Sequence, residues 1–161
     1  MPSIHLTTMI HAPVEVVFDL SRSIDLHKKS MSHTKEEAVA GTTMGLINLQ
    51  ETVTWKARHL GKTRVLKSKI TSLKAPVSFT DEMIDGDFRS LRHEHYFKPV
   101  NNGTLMIDYM HYEMPYGFIG SLVDRFYLNK YLVRLLETRN SLLKKCAESE
   151  QWRKYLSTQP V

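Results

Sequence analysis

The hydrophobic pattern of this chain changes period for good near Met114-Pro115-Tyr116-Gly117. Before that point, two short helical runs apart, apolar and polar residues alternate in short stretches separated by turns. After it Ile119, Leu122, Val123, Phe126, Tyr127 and then Leu132, Leu135, Leu136, Leu142 and Leu143 recur at helical spacing. The second part predicts one amphipathic helix from about Ile119 to Ser149, and thirty residues at ~1.5 Å rise make a rod of roughly 45 Å, long enough to cross a whole sheet. A run of strands followed by one long helix is an α+β arrangement, with an antiparallel sheet whose apolar face needs that helix as cover.

The strands can be placed from their turns. Ser3 to Ile10 alternates with period two and predicts a first strand. His11-Ala12-Pro13 stops it, and Pro13 suits the start of a short helix through Val14, Val16, Val17, Phe18 and Leu20. Ser23 can cap a second short helix carrying Ile24, Leu26, His27 and Met31. Thr34 to Ala40 reads as a short strand, and Gly41 to Gln50 as an irregular connection. Then come Glu51–Leu60, Lys62–Leu73, Val77–Ile84, Phe88–Val100 and Thr104–Glu113, divided by Leu60-Gly61, Lys74-Ala75-Pro76, Asp85-Gly86-Asp87 and Asn101-Asn102-Gly103. About seven strands result. With 161 residues there is room for one substantial core, and residues 1–150 read as one domain, with 151–161 a helical continuation or loose tail.

Two-residue turns also fix which side chains share a face, because antiparallel partners point to the same side. Pairing His59 with Lys62 puts Trp55 opposite Leu66, Val53 opposite Ser68 and Ala57 opposite Arg64. Pairing Val100 with Gly103 puts His95 opposite Asp108, His93 opposite Met110 and Phe97 opposite Met106. For the longer middle turn, Ile70 beside Phe79 keeps apolar residues together and sets Ser68 near Asp81 and Leu66 near Met83. The inner face then reads as apolar with a polar seam of Asp81, His93, His95 and Asp108, and Lys and Thr positions fill the outer face. Val65, Ile84 and Ile107 break the pattern by falling on the outer side.

Charge and cysteine content narrow the function classes. The net charge of +5 and pI near 9.3 would suit a nucleic acid if the cations were clustered. Lys28-Lys29, Lys67/Lys69 and Lys144-Lys145 instead sit on separate elements as solvated faces, so no nucleic-acid partner is expected. Cys146 is the one cysteine, which excludes an intramolecular disulfide and fits a reducing cytoplasm. No window approaches the ~18 apolar residues of a membrane span, and Met1 to Ile10 lacks an export pattern, so neither export nor membrane insertion is expected.

Val53-Thr54-Trp55-Lys56-Ala57-Arg58-His59-Leu60-Gly61, Phe79-Thr80-Asp81-Glu82-Met83 with Gly86-Asp87-Phe88, Arg92-His93-Glu94-His95-Tyr96-Phe97 and Gly103-Thr104-Leu105-Met106-Ile107-Asp108 together resemble the SRPBCC superfamily. These are the START and Bet v 1-like helix-grip proteins, which include polyketide cyclases and lipid-transfer domains. More specifically, the segments look like those of small bacterial members loosely labelled cell division inhibitors. The resemblance implies a helix-grip fold, a curved sheet wrapped around the C-terminal helix, and binding of hydrophobic ligands, with catalysis in some members only.

A strongly bent sheet cannot press every inner side chain onto one helix, so a cavity tends to remain. Such a cavity gains ~25 cal/mol for each Å² of apolar surface withdrawn from water. The expected function is therefore to bind a lipid-like, polyketide-like or aromatic molecule, with a lining of Trp55, His59, Leu66, Phe79, Asp81, Met83, His93, His95, Met106, Asp108, Met110 and Tyr112. The methionines are adaptable fillers, and the Trp55 indole N–H can orient a polar ligand atom or simply pack. The enzymatic alternative is a cyclase or dehydratase with His95 as general base, Asp108 orienting it and Tyr112 donating a proton. The seam can equally serve structure alone, since its groups can satisfy one another. A third alternative is a protein-interaction surface around Pro115 to Phe118. Metal binding by His59, His93, His95 and an Asp has the right donor types, but His-x-His on a strand arises readily by chance, and neither a metal nor another cofactor is expected. Cys146 receives no role.

Overall fold

The computed structural model describes residues 2–114 and 122–156. Seven strands, β1 Ser3–Ile10, β2 Glu37–Gly41, β3 Thr52–His59, β4 Lys62–Lys74, β5 Ser78–Asp85, β6 Ser90–Val100 and β7 Gly103–Glu113, form one antiparallel sheet in the order β1-β7-β6-β5-β4-β3-β2. Helices α1 Val14–Ser21 and α2 Ile24–Ser30 follow β1, and a short 3-10 turn, Ser32–Thr34, leads into β2. The long helix α3, Leu122–Ala147, crosses the inner face, and α4, Trp152–Leu156, follows it. This is the helix-grip arrangement expected from the sequence. The expected helix start near Ile119 and the surface at Pro115 to Phe118 lie outside the described residues, as does the end of the chain from 157.

The local causes are readable. Ser23 Oγ accepts the Leu26 backbone N–H at 3.2 Å and caps α2. Leu60 and Gly61 both have positive φ, 52° and 79°, so the turn twists in the sense that lets β3 and β4 pair without splaying. The expected registers His59↔Lys62, Trp55↔Leu66, Val100↔Gly103 and His95↔Asp108 are all present.

The β4–β5 register differs. Ile70 pairs with Asp81 and not with Phe79, which pairs with Leu73; Ser68 pairs with Met83. Irregularities between Lys67 and Ser68 and between Ile70 and Ser72 each insert an unpaired residue, and such bulges bend a strand and sharpen its twist. Another shift lies between Ala38 and Ala40 in β2. Bending is what lets the sheet wrap around α3.

The main core joins α1, α2 and the sheet: Phe18 meets Phe79 and Phe97 edge-on at ring distances of 5.7 and 5.3 Å. A smaller cluster of Ile4, Met110, Tyr112 and Leu136 fills the β1–β7 end beneath α3. Trp152, Tyr155 and Leu156 of α4 pack onto the main core, so the folded body reaches past residue 150. Val65 and Ile84 are exposed, as expected from their outward register, but Thr80, expected outside, is buried. Phe126 and Tyr127 are 63% and 62% exposed, which corrects the expectation that they belong to the buried stripe of the helix. No described helix is long and apolar enough to cross a membrane.

Candidate ligand-binding site

Between the sheet and α3 lies a cavity of about 370 Å³. Its walls are mainly apolar, with Val53, Trp55, Ile70 and Phe79 from the sheet facing Leu132 and Leu135 from the helix. Size and lining fall within the range of small-molecule pockets, roughly 300–1,000 Å³.

The polar seam is built by strand alternation, which aims Asp81 of β5, His93 and His95 of β6 and Asp108 of β7 at α3. Asp81 stands opposite His93 and Asp108 opposite His95, yet the shortest hydrogen bonds run diagonally. His93 Nε2 lies 2.9 Å from Asp108 Oδ1, and His95 Nε2 lies 2.7 Å from Asp81 Oδ2. The His95 ring stacks on Phe79 at 4.1 Å and lies 3.8 Å from the ring of His93.

The helix completes the seam. Arg139 Nη1 donates to Asp108 Oδ1 at 3.1 Å, and Asn140 Nδ2 donates to Asp108 Oδ2 at 2.7 Å. Arg139 Nη2 reaches His95 Nδ1 at 3.4 Å. A guanidinium only donates, so this contact leaves Nδ1 as acceptor and sets the His95 proton on Nε2, toward Asp81. Asp108 Oδ1, 3.3 Å from the same Nδ1, is bridged to it through Arg139.

Electrostatics follow from these partners. Burial acts to raise the pKa of Asp108, but the Arg139 charge and the hydrogen bond from His93 outweigh it and hold the carboxyl well below its usual range. Burial likewise opposes ionisation of Asp81, and the hydrogen bond from His95 together with the Arg139 charge overcomes it. Burial, reinforced by His95, pushes the His93 pKa down against the pull of Asp108, so His93 is neutral near pH 7. Of the two seam carboxylates, Asp81 is the one that opens on the cavity, with 29% of its side chain exposed against 0% for Asp108.

A second polar group closes the cavity near the β3–β4 turn. His59 Nδ1 and Tyr131 Oη lie 2.6 Å apart, tying the end of β3 to α3. Burial lowers the His59 pKa and raises that of Tyr131, so both partners are neutral near pH 7.

The model of the polyketide cyclase/dehydrase and lipid transport family matches residues 10–137. The chain belongs to that family. Its fold is shared with TTHA0849 from Thermus thermophilus, at TM-score 0.71 and 20% identity over 89% of this chain and 95% of that one. A START superfamily protein from Mycobacterium smegmatis gives 0.68 and 13% over 91% and 97%. The major latex-like protein 151 from Panax ginseng gives 0.67 and 14% over 92% and 98%. No curated protein matches the chain. The SRPBCC assignment made from the motifs therefore stands, while neither the family's description nor these three structures carry the cell division inhibitor label.

Among the family member's expected lining residues, Trp55, His59, Leu66, Phe79, Asp81, His93, His95 and Met110 border the cavity. Met83, Met106, Asp108 and Tyr112 do not. The bulged register sends the Met83 sulfur over Gly86, where a Cβ would stand 2.8 Å away. Met106 is sealed under α1, its sulfur 3.6 Å from Ser21 Oγ. Arg139 and Asn140 cover Asp108. Tyr112 lies behind Phe88, ring to ring at 5.8 Å, and its hydroxyl accepts from Asn129 Nδ2 at 3.0 Å. The triad expected for catalysis is thus not assembled around the cavity: the orienting carboxylate nearest His95 Nε2 is Asp81, and Tyr112 has no path to an occupant.

Asp81, His93 and His95 bring three donor atoms within 4.8 Å of one another, the donor types that a divalent ion takes. His59, the third histidine considered from the sequence, is not in this group. Arg139 and Asn140 were missed because they read as polar positions of an amphipathic helix. The spacing held the signal: Arg139 falls four and three residues after Leu135 and Leu136 and three and four before Leu142 and Leu143, the centre of the inward stripe.

Proposed function

We propose that the protein binds a hydrophobic small molecule, lipid-like, polyketide-like or aromatic, between its sheet and α3, with the Asp81–His95 pair orienting a polar atom of the ligand. The observation that carries this reading is the apolar-walled cavity of about 370 Å³ with Asp81 open to it. Membership of a family described by both cyclisation and lipid transport supports the ligand class. Native mass spectrometry of freshly purified protein, followed by organic extraction, tests it. A bound lipid or aromatic compound is expected, and a protein that stays empty and takes up no offered apolar ligand overturns the reading.

Cyclase- or dehydratase-type catalysis is the second reading, favoured by the His–carboxylate pair at the cavity wall. In the ground state His95 holds its proton toward Asp81 and its other nitrogen faces Arg139, an arrangement that suits positioning better than proton abstraction. His95→Ala separates the two: loss of turnover of an offered polyketide supports catalysis, and apolar affinity kept within a few-fold without any turnover in the parent protein supports binding alone.

A further inference from the structure

Away from the seam the cavity wall holds a carboxylate oxygen that has no hydrogen bond. Glu36 follows the 3-10 turn and borders the cavity. Its side chain is 9% exposed, and its Oε2 is buried without a hydrogen-bond partner. His27 Nε2 lies 3.0 Å from that oxygen but lacks the alignment that a hydrogen bond needs. The three arginines of the wall are engaged elsewhere: Arg22 with Asp19, Ile47 and Asn48, Arg64 with Asp87 and the His59 carbonyl, and Arg139 with Asp108. A buried acceptor without a hydrogen bond is uncommon and costly, and because the Glu36 side chain borders the cavity, a turn of its carboxyl group toward a donor entering the site relieves it.

The surroundings suit the head of an amphiphile. His27 and Trp55 pack ring to ring at 4.4 Å, the His59–Tyr131 pair stands in the same stretch of wall, and apolar side chains continue inward from there. Glu36 enters β2 and the seam histidines lie on β6, four strands away in the sheet. At ~4.8 Å per strand that is roughly 19 Å along the sheet, and less across its hollow. An acidic side chain thus borders the cavity at both ends, Glu36 at one and Asp81 at the other.

We infer that Glu36 anchors the polar end of the occupant, and that this end is a hydrogen-bond donor, a hydroxyl or a protonated amine, on an otherwise apolar chain. An anionic head such as a fatty-acid carboxylate meets acceptors at both ends of the cavity and is disfavoured. This inference rests on the cavity being the ligand site proposed above, and it adds the sign of the ligand's head.

The test is displacement of a neutral fluorescent probe, N-phenylnaphthylamine, by decanol, decylamine and decanoate on the intact protein, its Glu36→Gln variant and its Glu36→Leu variant. Decanol or decylamine is expected to bind at least about tenfold more tightly than decanoate, the factor that a hydrogen bond to a charged group supplies. Glu36→Leu should bring the three ligands within about threefold of one another by removing that bond. Glu36→Gln should weaken the amine but keep the alcohol, because its carbonyl oxygen still accepts. Circular dichroism of both variants confirms folding, and Glu36→Gln, nearly isosteric, serves if Glu36→Leu does not fold. Equal affinities in the parent, a preference for decanoate, or a preference unchanged in the variants overturns the inference and leaves the cavity reading standing. Failure of the probe and all three ligands to bind overturns the cavity reading itself.

Discussion

Asp108 is an ionised carboxylate with no solvent exposure, and Arg139 supplies its compensating charge. Removing one partner of a buried pair costs about 3–5 kcal/mol because the other charge is stranded, whereas replacing both by apolar groups is often near neutral. Arg139→Met should therefore destabilise the protein by about that amount in urea denaturation, and adding Asp108→Leu should recover only part of the loss, because His93 Nε2 and Asn140 Nδ2 then lose their acceptor. A single variant as stable as the parent would refute the assignment. Gly103 is constrained by a different contact: a Cβ there would stand 2.3 Å from the Ile10 carbonyl oxygen, backbone that cannot swing aside. Gly103→Ala should push β1 off β7, and a melting temperature equal to the parent's would contradict the tight approach.

At the scale of elements, the His59–Tyr131 contact is a strap between the end of β3 and α3. Tyr131→Phe keeps the ring and removes the hydrogen bond, so stability should fall by only about 0.5–1.5 kcal/mol while bound ligand escapes several-fold faster in stopped-flow release. An unchanged release rate would make the strap irrelevant to access. The hairpins on either side of the seam were legible in the sequence because Leu60-Gly61 and Asn101-Asn102 leave little freedom of register. The β4–β5 hairpin was not, since its longer turn and two bulges allow Ile70 to slip from Phe79 to Asp81 without changing which face it occupies. The same parity kept His93, His95 and Asp81 correctly inward while misplacing Met83. The helix side of the seam stayed hidden because a charge in a leucine stripe looks like solvent exposure until a buried carboxylate opposite it is known.

For the molecule as a whole, the seam sets how stability depends on pH. The His93 pKa is lowered in the fold, by burial first, and His59 is lowered for the same main reason. Their contribution is complete above the unfolded-state value of about 6.5 and is lost as pH falls through the folded value, because the unfolded chain binds protons that the fold refuses. Asp81 and Asp108, held below their usual range, contribute stability that is complete above about pH 4 and is lost on further acidification. Melting temperature should thus fall in two stages, and His93→Gln should shrink the upper one. A flat profile between about pH 7 and 5 would exclude the first stage.

The strand order bears on synthesis too. β1 is flanked by β7 and not by β2, so its partners lie roughly a hundred residues downstream, a separation that slows folding. A nascent chain can zip β3 through β6 from local turns, but Ser3–Ile10 must wait for Gly103–Glu113, and the carboxylate that β7 carries must wait longer for the arginine of α3. Because α3 follows every strand of the sheet in sequence, the apolar inner face stands uncovered until that helix has been made and has docked.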